Sequence, residues 1–374
     1  MNASNKPDLP PLTGVRFMAA FFVFIFHYNP FPKNTFIWGI CNEMYSGVSI
    51  FFVLSGFLIC YNYFDSSSLR LSFVKSYFIK RFARIYPVYF VLTNIFYLYN
   101  YFLHDKKVQL PEYFLNITLL KGLSGEYMFS GLFQAWSLTV EECFYAFAPL
   151  IFLLYRRKKI LFIQAAFFVL VGILLVLFFR HYPFWGFFSG FQFMFLATFF
   201  GRCFEFFVGI FLAFLLKRYS YIRIPFSKPV FTFAGLIFIF FGLIIMSAIR
   251  YNYHVEHASE YPVGLFFHNV LFPVGVAVFF FGLVRERSIL SRIFSSSVFQ
   301  WLGKSSYIFY LIHAGLFANV LTHLTGERVV LKFIVLQGMA ITGYWFFEKP
   351  VNKKIRNFFL VRKEKQLHAS SLTV

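Results

Sequence analysis

Two side chains near the start of the chain are of the types that handle phosphate and protons, and their spacing lets them act together. Arg16 and His27 lie eleven residues apart. At about 3.6 residues per turn this puts them on one helix face, ~16 Å apart along the axis. A guanidinium binds phosphate through a planar fork of donors, and an imidazole exchanges protons near neutral pH. The same stripe is equally compatible with Arg16 snorkelling to lipid headgroups and His27 lying at the opposite interface.

Further along, Trp136-Ser137-Leu138-Thr139-Val140-Glu141-Glu142-Cys143-Phe144-Tyr145 sets two adjacent carboxylates in an otherwise apolar run. Adjacent residues on a helix cannot face one way, so one carboxylate points inward and the other toward headgroups or water. Glu141 and Tyr145, at i, i+4, share a face. Glu141 is therefore a candidate to orient an imidazole, or a buried acceptor that fixes helix packing. Arg202 and Glu205, at i, i+3, can pair with each other, and an internal ion pair that offsets its own desolvation is the simpler reading. Tyr310 and His313 are also i, i+3, with His313 near the middle of an apolar run. Gly303-Lys304-Ser305 ends like a phosphate loop, but Val298 stands where that loop needs glycine, so this reading fails. Ser49 and Ser55 lie in a segment without a Gly-x-Ser-x-Gly elbow, and its small residues suit close helix packing.

These residues are held in a chain of 374 residues that is 59% hydrophobic and only 13% charged, with a mean hydropathy of +0.67. A soluble domain carries about 25% charged residues, so the composition predicts an all-α integral membrane protein. The net charge of +20 is spread in short basic clusters between apolar runs, which is a topology signal rather than a nucleic-acid surface. The four cysteines show no paired spacing, so neither a disulfide framework nor a metal site is expected.

A bilayer core of ~30 Å needs roughly 20 apolar helical residues per crossing. Ten candidate spans follow, at about 12–29, 45–64, 86–103, 136–155, 160–179, 201–216, 229–249, 264–284, 305–322 and 328–347. The first has a short apolar core, Phe17–Phe26, of signal-peptide length, but His27-Tyr28-Asn29-Pro30 offers no small-x-small cleavage site. It is read as retained. Runs near 113–120 and 184–200 suit re-entrant or interfacial segments. With ten spans, the linkers and tail on one side hold 23 Lys and Arg and those on the other hold 7. The positive-inside rule then predicts that both termini are cytoplasmic. Residues 1–352 form the membrane domain, and 353–374 a basic tail that is frayed or lies on anionic headgroups.

Taken in order, these segments resemble the transmembrane acyltransferase-3 family, bacterial inner-membrane enzymes that O-acylate extracytoplasmic glycans. Arg16 and His27 match its Arg-x10-His motif, and Gly47–Phe57 its Gly-Val-Asp-x-Phe-Phe-Val-Leu-Ser-Gly-Phe signature, with Ser49 where Asp is frequent. Phe78–Pro87, with Arg81 and Arg84, matches the basic stretch entering the third span, and Trp136–Tyr145 the Trp-Ser-Leu-x-Val-Glu-Glu-x-Phe-Tyr block. Arg202, Glu205 and Gly209 match Arg-x-x-Glu-x-x-x-Gly. Gly303, Ser306, Tyr307, Tyr310 and His313 match Gly-x-x-Ser-Tyr-x-x-Tyr-x-x-His, and Glu348-Lys349-Pro350 the closing motif. The sequence shows no C-terminal esterase-like domain such as some members carry, so transfer is expected from the membrane part alone or with a separate partner.

The resemblance implies a cytoplasmic acyl-coenzyme A donor, most often acetyl-CoA, and a sugar hydroxyl of an O-antigen, capsule, exopolysaccharide or other envelope glycan as acceptor. The coenzyme phosphates are expected on Arg16, Arg81 and Arg84. His27 is the expected general base and Glu141 its orienter. His313 and Tyr310 are candidates to polarise the thioester carbonyl or to accept the acyl group. Arg202, Glu205, Trp136, Tyr307 and Glu348 are expected in structural or channel roles. No metal is expected, and a homo-oligomer stays open. Two rivals are a polyprenyl-sugar flippase or small-molecule transporter, and a non-catalytic scaffold.

Overall fold

The computed structural model describes residues 9–33, 35–65, 70–158, 160–218, 228–326 and 328–361. Of the basic residues used to assign sides, Lys159, Arg223, Arg362, Lys363 and Lys365 lie outside these ranges. Helices run in the order α1 (Pro10–His27), α2 (Phe36–Asn42), α3 (Gly47–Tyr63), α4 (Leu71–His104), α5 (Leu110–Ile117) and α6 (Trp136–Lys158). There follow α7 (Leu161–His181), α8 (Phe191–Ala197), α9 (Phe199–Arg218), α10 (Val230–Tyr253), α11 (Pro262–Phe266) and α12 (Phe272–Arg285). The chain closes with α13 (Ile289–Ser295), α14 (Ser297–Ile312), α15 (Leu316–Thr325), α16 (Val329–Gly343) and α17 (Lys349–Arg356). Among the described residues the only β pairing is an isolated bridge between Ser124 and Phe187.

Among the described residues eight helical stretches are long and apolar enough to cross a membrane: Pro10–His27, Phe36–Tyr63, Phe133–Arg156, Leu161–His181, Phe191–Arg218, Val230–Tyr253, Pro262–Arg285 and Val329–Leu360. The chain is thus an all-α, multi-pass membrane protein. The expected segment at 86–103 lies in α4 and is not among the eight. Its tyrosines with Asn94 and Asn100 dilute its hydropathy. Each asparagine amide donates to the carbonyl four residues back, at 2.8 Å in both cases. The face carrying Phe90, Val91, Ile95, Leu98 and Phe102 is exposed, as a lipid-facing surface would be.

One expectation is corrected. The span at 305–322 is not one rod: α14 and α15 meet at a bend of 88°. Gly315 sits in the break with φ +71°, a backbone conformation that glycine adopts without a Cβ clash. The expected basic tail opens in helix at Lys353. The helix continues through α17 to Val361 by way of π-helical turns at Tyr344–Glu348 and Asn357–Val361. A further π turn, Phe267–Leu271, links α11 to α12. Two of these turns end two residues before a proline, Pro273 and Pro350. A proline lacks the N–H and crowds the carbonyl four residues back, and widening the turn accommodates both.

The core is set by α3 against α9. A Cβ on Gly56 would lie 2.1 Å from the Phe206 carbonyl oxygen, and one on Gly209 the same distance from that of Val53. Only glycine on both helices permits this approach, which aligns Phe52 over Phe206 at 4.9 Å between ring centroids.

Candidate active site

At one end of the bundle is a recess of about 1000 Å³. Its wall carries eight Lys and Arg side chains and a single carboxylate, Glu348. The cations come from separate elements: Arg16 from α1, Lys80, Arg81 and Arg84 from α4, Lys304 from α14, and Lys349, Lys353 and Arg356 from α17. Arg81 is held in place, its Nη2 donating to Tyr63 Oη at 3.1 Å while its guanidinium lies over the rings of Tyr63 and Tyr145. A concave wall with this excess of one sign concentrates anions, and guanidinium forks select phosphate among them.

Arg16 and Arg84 also line a second, inner chamber of about 70 Å³. Its other polar groups are Ser55, Ser137, Glu141, Tyr145, Ser306, Tyr307 and Tyr310. Ser55 Oγ donates to Glu141 Oε1 at 2.7 Å and Tyr145 Oη to Glu141 Oε2 at 3.1 Å. The shared face of Glu141 and Tyr145 is therefore real. The expected partnership of Glu141 with His27 is not: the carboxylate is turned toward Ser55 and the two arginines, because α6 presents that face to α3. Ser55, read from the sequence as a packing residue, is one of the two residues that orient Glu141. Tyr310 Oη donates to the Gln134 carbonyl at 3.1 Å and lies 2.8 Å from Ser137 Oγ. Tyr307 Oη donates to the Ile85 carbonyl at 2.8 Å.

Beyond Tyr310 stands a pair of histidines. His27, the last residue of α1, and His313, at the break after α14, have ring centroids 5.2 Å apart. His313 is fully buried. Its Nδ1 is 2.7 Å from the Tyr310 carbonyl oxygen, which can only accept, so the ring proton sits on Nδ1 and Nε2 carries the lone pair. Nε2 has no hydrogen-bond partner among the described residues. In its neutral form His313 thus offers a base or nucleophile at Nε2, and in its protonated form a donor. The break at Gly315 makes His313 a helix end inside the expected span. Neither the recess nor the chamber reaches the two histidines; Tyr310, 5.5 Å from the His313 ring centroid to centroid, is the wall between.

A third cluster lies behind Phe52. Arg202 makes a two-pronged pair with Glu205 at 2.8 and 3.1 Å, and donates to Ser49 Oγ at 3.0 Å and the Leu196 carbonyl at 2.9 Å. Ser49 Oγ lies 3.4 Å from His268 Nε2, and His268 Nδ1 lies 2.8 Å from Asn269 Oδ1. All five side chains are buried, and none lines the recess or the chamber. His268 was missed in the sequence, although the rule that flags ionisable residues inside spans covers it. Ser49 stands between a guanidinium and an imidazole, where an aspartate would add a charge. Trp136 opens α6 and lines neither cavity, whereas Glu348 faces the recess from the end of a π turn. Among the described residues one group, Glu256, His257 and Glu260, brings three metal-ligand atoms within 4.8 Å of one another. It lies on the loop between α10 and α11.

Fold and site together define a multi-pass membrane protein with a polar interior open at a basic recess. The chain belongs to the acyltransferase domain family, whose model matches residues 11–348. It is 26% identical to the peptidoglycan O-acetyltransferase OatA of Listeria monocytogenes over 96% of this chain and 58% of that protein. It is 27% identical to the Bacillus subtilis protein named "Putative peptidoglycan O-acetyltransferase YrhL", over 92% of this chain and 55% of that one. The chain thus spans little more than half the length of these relatives. No solved structure matches.

Proposed function

We propose that this chain is a bacterial inner-membrane O-acetyltransferase that takes an acetyl group from cytoplasmic acetyl-CoA and delivers it to a sugar hydroxyl of an extracytoplasmic glycan. The observation that carries this reading is that Arg16 and Arg84 belong to both the basic recess and the inner chamber, with the histidine pair one residue further in. The coenzyme's phosphates bind the recess. Its basic wall agrees with the positive-inside side of the topology. The thin pantetheine arm follows the chamber toward Tyr310, whose ring must turn aside to admit the thioester to His27 and His313. The acceptor oxygen bonds to the acyl carbon as the carbon–sulfur bond breaks, and His27 takes the hydroxyl proton and passes it to the departing thiolate. The names of the relatives support acetyl as the group and an envelope glycan such as peptidoglycan as the acceptor.

The test is thiol release from acetyl-CoA by the purified chain with and without a glycan acceptor, alongside His27→Ala. A positioned base contributes about 10²–10⁴-fold, so the variant should lose that much turnover at equal membrane abundance. Near wild-type rates in the variant would overturn the role of His27. The broken α14–α15 pair is also a transporter feature. Movement of a lipid-linked sugar without thiol release would favour that second reading.

A further inference from the structure

A cavity of about 620 Å³ opens at the far end of α4 from the basic recess. Arg81 lines the recess and Asn100 this cavity, which at 1.5 Å per residue puts them ~28 Å apart. We propose that this cavity binds a negatively charged glycan segment and presents one of its hydroxyls to the histidine pair. The inference rests on the acyl-transfer reading for what is done with the hydroxyl, but not for the binding.

Its chemistry suits sugar. Phe96, Tyr97, Tyr99 and Phe129 supply aromatic faces for the apolar C–H side of pyranose rings. Glu112, held by a 2.9 Å hydrogen bond from Tyr97 Oη, accepts from sugar hydroxyls. The side-chain amide of Asn319 also lines the cavity and makes no hydrogen bond among the described residues. The charge is uneven: Lys106 and Lys107 stand with His104 and His323 against the one carboxylate, which selects an acid-bearing glycan over a neutral one.

The position suits delivery. Gly315, two residues past His313, forms part of the lining, as does Phe129. The Phe133 ring stands between this cavity and His27. Phe133 lies 5.1 Å from the His27 ring and 6.0 Å from that of Phe129, centroid to centroid. A Cβ on Gly315 would touch it at 3.9 Å. Swinging Phe133 aside joins the cavity to His27 without moving a helix.

The experiment is saturation-transfer NMR on the detergent-solubilised full chain, with hexagalacturonate as the acidic probe and hexa-N-acetylglucosamine as the neutral one. The acidic oligomer should bind at least ten-fold tighter. The surface double variant Lys106→Glu/Lys107→Glu should erase that preference, and Asn319→Ala should weaken both probes. Equal binding of the two oligomers, or an unchanged preference in the double variant, overturns the proposal, as does failure of the acidic oligomer to bind. Because binding is read without turnover, a chain that binds the acidic oligomer yet never consumes acetyl-CoA would sink the acyl-transfer reading and leave this one standing.

Discussion

Two buried polar clusters flank Phe52, and they are built on opposite principles. In the Arg202–Glu205–Ser49–His268–Asn269 group every side chain is bonded to another, and it faces none of the cavities. The cluster around Glu141 borders a chamber, and the histidine pair next to it leaves His313 Nε2 without a partner. A closed network offsets the desolvation of its own charges and has nothing left to offer a ligand. An open one keeps acceptors for a substrate. Charge inside a membrane span is thus two different signals, and the hydrogen-bond ledger separates them.

The comparison breaks most visibly at Glu205. Removing its carboxylate strands the buried Arg202, so Glu205→Ala should cost about 3–5 kcal/mol and deplete folded protein in the membrane. Glu141→Gln should leave abundance unchanged and act on turnover. If both variants were abundant and inactive, the distinction between scaffold and site would fail. His313→Ala should cut the acetyl-transfer rate about 10²-fold without changing the KM for acetyl-CoA. A donor-side KM effect would instead place His313 in coenzyme binding. Arg84→Ala should do the reverse, raising that KM about ten-fold, the worth of one charged hydrogen bond, and the penalty should shrink in high salt.

The smallest effect concerns a sealed group outside the spans. Lys121 is buried, and its Nζ donates to the Ser130 and Leu132 carbonyls, both at 2.6 Å. Burial lowers its pKa from the ordinary 10.5 to about 7. Between those values the unfolded chain holds this proton more than the native one does, so the Lys121 contribution to stability grows as pH rises, by at most about 1.4 kcal/mol per unit. The melting temperature of wild type minus that of Lys121→Met should rise from pH 7 to pH 9. A constant difference would mean that Lys121 stays charged when folded.

The sequence was most legible where the physics is local. Arg16 and His27 on one face, Glu141 with Tyr145, and Arg202 with Glu205 all follow from helical period alone, and the apolar runs fall largely on helix, with a break at 313–315 in the run at 305–322, because an apolar run in lipid must satisfy its own backbone. The histidine at 268 was readable by the same rule and was passed over. Other features depend on residues far apart in the chain. Ser55 lies 86 positions from Glu141. Their bond, and the turning of Glu141 away from His27, come from the rotation of α6 against α3, a matter of packing that no periodicity encodes. The break after His313 likewise needs the observed left-handed backbone at Gly315, since a glycine can also continue a helix. By itself, then, the sequence determined which charges are buried in lipid and on which helix face each one starts. Tertiary packing decided which of them close on one another and which remain open to a cavity, because only contacts between distant segments assign a buried polar group its partner.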